Sequence, residues 1–285
     1  MFLTEKINIK YKLGRNVFMV VKEIQVKDYL SKSNLPLCDY VINPYVGCPH
    51  GCKYCYASFM KRFTGHKEKW GTFLDVKFCD KAISKKKLSG KSVFLSSVTD
   101  PYNPYEKKYK ITRRILSELV KIDCRVYIAT KSSLIIRDID LLKQFKNLTV
   151  AVSLNTLDEN FRKDMDFADS VQKRLETLKK LYDNGFYTVL FVSPWFPEIT
   201  DFKALIQQTH EFVSQYWFEN LNLRGDYKKT ILNYILNNYP KYFSLYKKIY
   251  SYGDNSYWKS KETEFINYCQ SHDISYVDCF YHSKR

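Results

Sequence analysis

The sequence predicts an α/β fold: a partial (β/α)6 barrel of the TIM type, with a tyrosine-rich, mainly helical cap at its C-terminal side. Three observations lead there. Short β-branched strands alternate with helical patterns from residue 40 to residue 218. These strands are apolar along nearly their whole length, which suits parallel pairing with both faces covered. A cysteine-rich run directly follows the first of them, at the strand end where such barrels place their chemistry.

Residues 1–39 read as an N-terminal extension. Within it Val20-Val-Lys-Glu-Ile-Gln-Val26 alternates like a strand. Met19 offers an alternative start, with 1–18 as added sequence, and Asn34-Leu-Pro-Leu37 breaks the pattern. The barrel, 40–218, has strand-like runs at Tyr40–Ile42, Ser92–Leu95, Arg125–Ala129, Leu148–Val152, Tyr187–Val192 and Phe212–Phe218. Helical spacing predicts helices at Ile111–Lys121, Ile135–Phe145 and Val171–Tyr182, the last stopped by Asp183-Asn-Gly185. The cap, 219–285, holds nearly half of the 24 tyrosines and predicts helices at 227–238 and 258–271. Packing is the favoured role for those tyrosines, ahead of stacking on or hydrogen bonding to a substrate.

Bulk properties bound the function. Among 285 residues, 46 basic against 30 acidic side chains give +16, which fits nucleic acid or an acidic peptide as partner. A lysine-rich proteome explains the same number equally well, because no arginine-rich block appears. Lys81, Lys85, Lys86, Lys87 and Lys91, with Lys107, Lys108, Lys110, Arg113 and Arg114, are candidates for a phosphate-tracking rim. Five of the eight cysteines (Cys38, Cys79, Cys124, Cys269 and Cys279) are scattered and make no disulfide framework, so a reducing cytoplasm is expected. No signal peptide is visible, and no run approaches the ~18 apolar residues of a membrane span, so no membrane partner is expected.

The chemistry lies in Asn43-Pro-Tyr-Val-Gly-Cys-Pro-His-Gly-Cys-Lys-Tyr-Cys-Tyr56. Its spacing is C-x3-C-x2-C. Three thiolates are one too few to complete a [4Fe–4S] cube, so one iron stays open to something that is not protein. Zinc sites pair their ligands in two halves, and no second half follows. Other strand ends carry polar groups. Ser97, Thr99 and Asp100 follow the second strand, where hydroxyls and a carboxylate can receive an ammonium. Lys131 follows the third and can pair with a carboxylate. Ser153 and Asn155 follow the fourth, and Ser193 the fifth; taken alone, these read equally as plain turns. The histidines show no metal spacing, and Cys269 and Cys279 read as buried or incidental thiols rather than ligands of an auxiliary cluster.

The cysteine spacing, with an aromatic before the last cysteine, resembles the signature of the radical S-adenosylmethionine (SAM) superfamily. Together, Asn43-Pro-Tyr-x-Gly-Cys, Cys55-Tyr-Ala57, Thr130-Lys-Ser132 and Ser153-Leu-Asn155 resemble its spore-photoproduct-lyase-like branch, over residues 40–195. The resemblance implies that Cys48, Cys52 and Cys55 ligate a [4Fe–4S] cluster whose open iron is chelated by SAM. An external flavodoxin- or ferredoxin-like donor would reduce it, splitting SAM to a 5′-deoxyadenosyl radical that takes a hydrogen atom from substrate. It further implies Tyr54 beside the cluster and adenine, and Ser97, Thr99 or Asp100 at the SAM amino group. Lys131 would meet the SAM carboxylate, Ser153 and Asn155 the ribose and methionine, and Ser193 the adenine or substrate side. The branch's repair enzyme uses a hydrogen-donating cysteine just after its second strand. Here Ser96 and Ser97 stand there, and a serine O–H bond is too strong for that role. The favoured substrate is therefore an acidic, ribosomally made precursor peptide, brought by a small leader-binding protein and matured in the manner of a tyramine-excising splicease. The alternative is nucleic-acid modification or repair.

Overall fold

The computed structural model describes residues 9–13 and 17–280. Residues 1–8 and 14–16 of the expected extension, with Tyr281 and His282, lie outside the described residues. The strands are β1 (Ile9–Leu13), β2 (Val17–Gln25), β3 (Leu30–Lys32), β4 (Tyr40–Ile42), β5 (Tyr45–Val46), β6 (Phe73–Phe78), β7 (Ser92–Leu95), β8 (Arg125–Thr130), β9 (Leu148–Ser153), β10 (Tyr187–Trp195), β11 (Gln215–Asn220) and β12 (Tyr276–Asp278). Eight form the main sheet, in the order β12-β11-β10-β9-β8-β7-β4-β3. From β4 to β12 every pairing is parallel; only β3 on the edge runs antiparallel.

The six expected barrel strands are present and consecutive in space. Alternation along them sets the two faces. Val93, Leu95, Val126, Ile128, Val150, Val152, Leu190 and Val192 join the main core with the helices. Phe94, Tyr127, Ala151, Val189, Phe191 and Trp217 form a second apolar cluster on the inner face. Each fully buried aliphatic side chain of this kind contributes ~1.5–3 kcal/mol.

Four local results differ from expectation. Residues 17–25 are more than a preface: β2 pairs with β6, which pairs with β5 at the entrance to the cysteine loop. Ile135–Phe145 is split into a 3-10 turn, Ser133–Asp138, and a short helix, Ile139–Leu142. The buried Asp138 carboxylate is drawn to Arg113 and Arg137, both 2.8 Å away, at that junction. β11 starts three residues late, because Phe212 still turns off the helix Phe202–Thr209 through its N–H to Thr209 O at 3.0 Å. The C-terminal region is helical at Gly225–Asn238, Phe243–Tyr250 and Ser256–Ser271, but then returns a strand, β12, to the main sheet beside β11. Its aromatics are largely packing groups. Phe265 packs tilted against Phe218 with ring centroids 4.7 Å apart, and the buried Tyr246 donates to Pro197 O at 3.1 Å.

Candidate active site

The cysteine loop is folded tightly enough to require glycine. Gly47 sits at φ +85°, and a Cβ there would lie 2.4 Å from Phe73 O. Gly71, at φ +91°, would place a Cβ 2.9 Å from Gly51 Cα. Only glycine tolerates both the backbone conformation and the close approach. Opposite, Lys53 N–H donates to Met165 O at 2.9 Å and Phe167 N–H to His50 O at 2.8 Å, clamping the loop to the segment after the helix Glu159–Met165.

The three thiols are free and at most partly exposed. Burial pushes Cys52 up to about 12, with Asp166 adding to the rise and Lys131 and Arg174 opposing it. Burial likewise raises Cys48 and Cys55. Trp70 Nε1 is buried without a nitrogen or oxygen partner, and its interaction with Cys55 favours the thiolate. Thiols so placed become thiolates only when a metal group supplies the compensating charge. The donor set, the cationic neighbours and the waiting indole N–H all fit an iron–sulfur cluster.

Asp100 is the hub behind the loop. Its carboxylate accepts from Thr130 Oγ1 at 2.7 Å, Lys131 N–H at 2.8 Å and Tyr102 N–H at 2.9 Å, and lies 3.4 Å from His50 Nδ1. Burial alone would raise its pKa, but His50 and these donors override that and hold it at about 2. Asp100 thus ties the ends of β7 and β8 to the cysteine loop. Thr99 Oγ1 donates to Gly47 O at 2.6 Å. The Asn43 side chain holds the same segment, accepting from Val98 N–H at 3.1 Å and donating to Ser97 Oγ at 3.3 Å.

A second hub was missed by the sequence reading. Tyr54 is buried, edge-on to Phe196 at 5.4 Å, and donates to Asp166 at 3.2 Å. Asp166 is paired at 2.7 Å with the wholly buried Arg174, which also reaches Ser153 O at 3.3 Å and Asp169 O at 2.8 Å. Asp166 and Arg174 carry no local signature; a polar pair inside otherwise amphipathic segments was the only available clue. Lys131 Nζ lies 6.0 Å from the Tyr54 ring centroid and bonds no acceptor among the described residues.

The remaining expected residues are spread wider. Ser153 is buried at the end of β9. Asn155 Nδ2 donates to Pro194 O at 2.9 Å. Ser193 Oγ donates to Glu219 at the end of β11, and Tyr56 closes towards the same end of the barrel by donating to Ser97 O. Part of the lysine rim gathers at one place, where Lys81 and Lys87 both reach Asp28 at 3.5 Å and Arg114 donates to the adjacent Tyr29. Lys85–Lys91 precede β7 and Lys107–Lys110 follow it, at its opposite ends, while Arg113 is engaged by Asp138 and Asp140.

A family model described as the radical SAM superfamily matches residues 42–207. An uncharacterized protein of Methanocaldococcus jannaschii is 36% identical over 255 residues, covering 89% of this chain and 94% of its own. A radical SAM Nalpha-GlyT isomerase of Pseudomonas phage M6 is 29% identical over 188 residues, covering 64% of this chain and 37% of the isomerase. Among solved structures, a spore photoproduct lyase with bound AdoMet and a dinucleoside spore photoproduct aligns with a TM-score of 0.55 at 15% identity. That alignment covers 78% of this chain and 66% of the lyase, so the chain spans just under two thirds of that protein.

Proposed function

The chain belongs to the radical SAM superfamily, and within it we propose an enzyme whose 5′-deoxyadenosyl radical abstracts a hydrogen atom from a macromolecular substrate at the mouth of the barrel. The carrying observation is the set of three free thiols, one buried and two partly exposed, in a glycine-walled loop, with Lys131 and Arg174 supplying positive potential. Radical SAM enzymes use a [4Fe–4S] cluster and SAM, which together supply the reducing cleavage that makes the radical.

The chain's own residues hold and exclude. Cys48, Cys52 and Cys55 are the ligands. Lys131, with its backbone fixed by Asp100 and its amine bonding no acceptor among the described residues, suits the SAM carboxylate. Thr99 and Ser97, both partly exposed, suit the amino group. Asp100 acts as a positioning residue, since its oxygens are already taken by protein donors. Tyr54 and Phe196 wall the site against water.

Two substrate classes suit a +16 chain: an acidic precursor peptide, with a small leader-binding protein, and a nucleic acid. The serines Ser96 and Ser97, where the repair enzyme has its thiol, favour a reaction other than photoproduct reversal. No helix among the described residues is long and apolar enough to cross a membrane. The test is anaerobic reconstitution with iron and sulfide, then SAM and dithionite, scoring 5′-deoxyadenosine by mass spectrometry. Product from the wild type and none from Cys52→Ala supports the proposal. Equal product from both would sink it.

A further inference from the structure

Immediately after Cys55 the chain forms a 3-10 helix, Tyr56–Phe63, that buries Ala57 and turns its aromatics outward. Tyr56 is 50% exposed, Phe59 43% and Phe63 68%. These are large apolar groups left in water beside a catalytic loop, where a fold gains nothing by exposing them. They are organised. Phe59 and Phe63 meet edge-to-face at 6.4 Å, and the Arg62 guanidinium lies over both rings, 4.7 Å from Phe63 and 5.4 Å from Phe59.

The charge along their own segment is one-sided, and the acidic group that acts on Tyr56 is Glu219 from the end of β11. From Lys53 to Thr72 the basic residues are Lys53, Lys61, Arg62, Lys67 and Lys69, and the one acidic residue, Glu68, is held by His66 at 3.0 Å. Aromatic faces interleaved with cations are what an unpaired nucleic-acid strand requires: π-faces for bases and positive charge for phosphates. An acidic peptide would use the charge but leave the aromatic rings without planar partners. The strip also leads inward. Tyr56 donates to Ser97 O, and Glu219, which accepts from Ser193 at the end of β11, acts through its charge on the same phenol.

We propose that Tyr56, Phe59, Arg62 and Phe63 form a docking strip for single-stranded nucleic acid, which presents one nucleotide to the barrel mouth. The proposal rests on the radical SAM reading for what happens there, but not for binding itself.

The test is fluorescence anisotropy of the reconstituted full chain with a labelled mixed-sequence twelve-nucleotide single strand, the matching duplex and an acidic peptide, each across a salt series. Single-strand binding should be tightest and should weaken as salt rises. Phe59→Ala/Phe63→Ala should weaken it by about tenfold or more through lost stacking, leaving the circular dichroism spectrum unchanged. Arg62→Gln should weaken binding and flatten the salt slope. Tighter binding of the peptide, or single-strand binding indifferent to both variants, would overturn the strip. Absence of 5′-deoxyadenosine in the separate assay would overturn the radical reading while leaving a positive binding result intact.

Discussion

On the inner side of Cys55, Tyr54 is buried and locked to Asp166, Arg174 and Phe196; on the outer side, Tyr56, Phe59 and Phe63 stand in solvent. The two halves are adjacent in sequence and equally aromatic, but they face opposite demands. The inner half must keep three ligands and two strand ends in fixed geometry, so its carboxylates Asp100 and Asp166 are buried and held by several donors each. The outer half packs only through Ala57 and the Tyr56–Ser97 contact, so the chemistry of Phe59, Arg62 and Phe63 can follow the substrate. Its substitutions should change recognition with little effect on stability, whereas inner ones should damage both.

The strongest break of the inner half is loss of a ligand. Cys52→Ala should abolish both stoichiometric iron binding and SAM cleavage, read by iron assay and 5′-deoxyadenosine yield. Retained iron with retained cleavage would show that the loop is not the cluster site.

Removing the buried cation comes next. Arg174→Met removes the close ion partner of the buried Asp166 and leaves it only the longer contact to Arg162 at 3.8 Å, which should cost about 3 kcal/mol and lower the melting temperature by several degrees. The exposed Arg62 changed to Met should stay within about 0.5 kcal/mol of wild type. Similar losses in the two variants would erase the contrast between the halves.

Asp100 makes a pH-dependent version of the same point. Its pKa in the fold is about 2, depressed from 3.8, so its stabilisation is fully present above pH 3.8 and is lost as pH falls towards 2. The size is about 2 kcal/mol. Asp100→Asn should lose that amount at neutral pH and show a shallower loss of stability between about pH 4 and pH 2, followed by urea titration at each pH. An unchanged acid slope would mean that another carboxylate holds β7 and β8 to the loop.

The contrast also explains what could be read from the sequence. The cysteine spacing, the strand–helix alternation and the polar strand ends are local patterns, and the six barrel strands were legible from them. The β5–β6 pairing that carries Gly47 against Phe73 was not, because it depends on residues 26 apart meeting face to face. Nor was Asp166–Arg174, whose meaning appears only when Tyr54 and Ser153 arrive from other elements. Nor was the meeting of Lys81 and Lys87 with Arg114 at Asp28–Tyr29, which needs β7 and its flanking helices in place. The outer strip has no sequence signature, because only exposure distinguishes Phe59 and Phe63 from core aromatics.

The smallest expected effect is the most discriminating. Phe63 is 68% exposed and Phe73 is fully buried, stacked on His66 at 4.0 Å. Phe73→Ala removes a wall of the cysteine loop and should cost about 3–5 kcal/mol. Phe63→Ala removes a ring already in water and should shift stability by no more than about 0.5 kcal/mol, read by denaturant titration of both variants side by side. A loss at Phe63 approaching that at Phe73 would mean that the strip folds back onto the protein in solution, and that its exposure is not what recognition uses. A silent Phe63→Ala, paired with weakened strand binding, would mean that this face is retained for what it touches outside the chain.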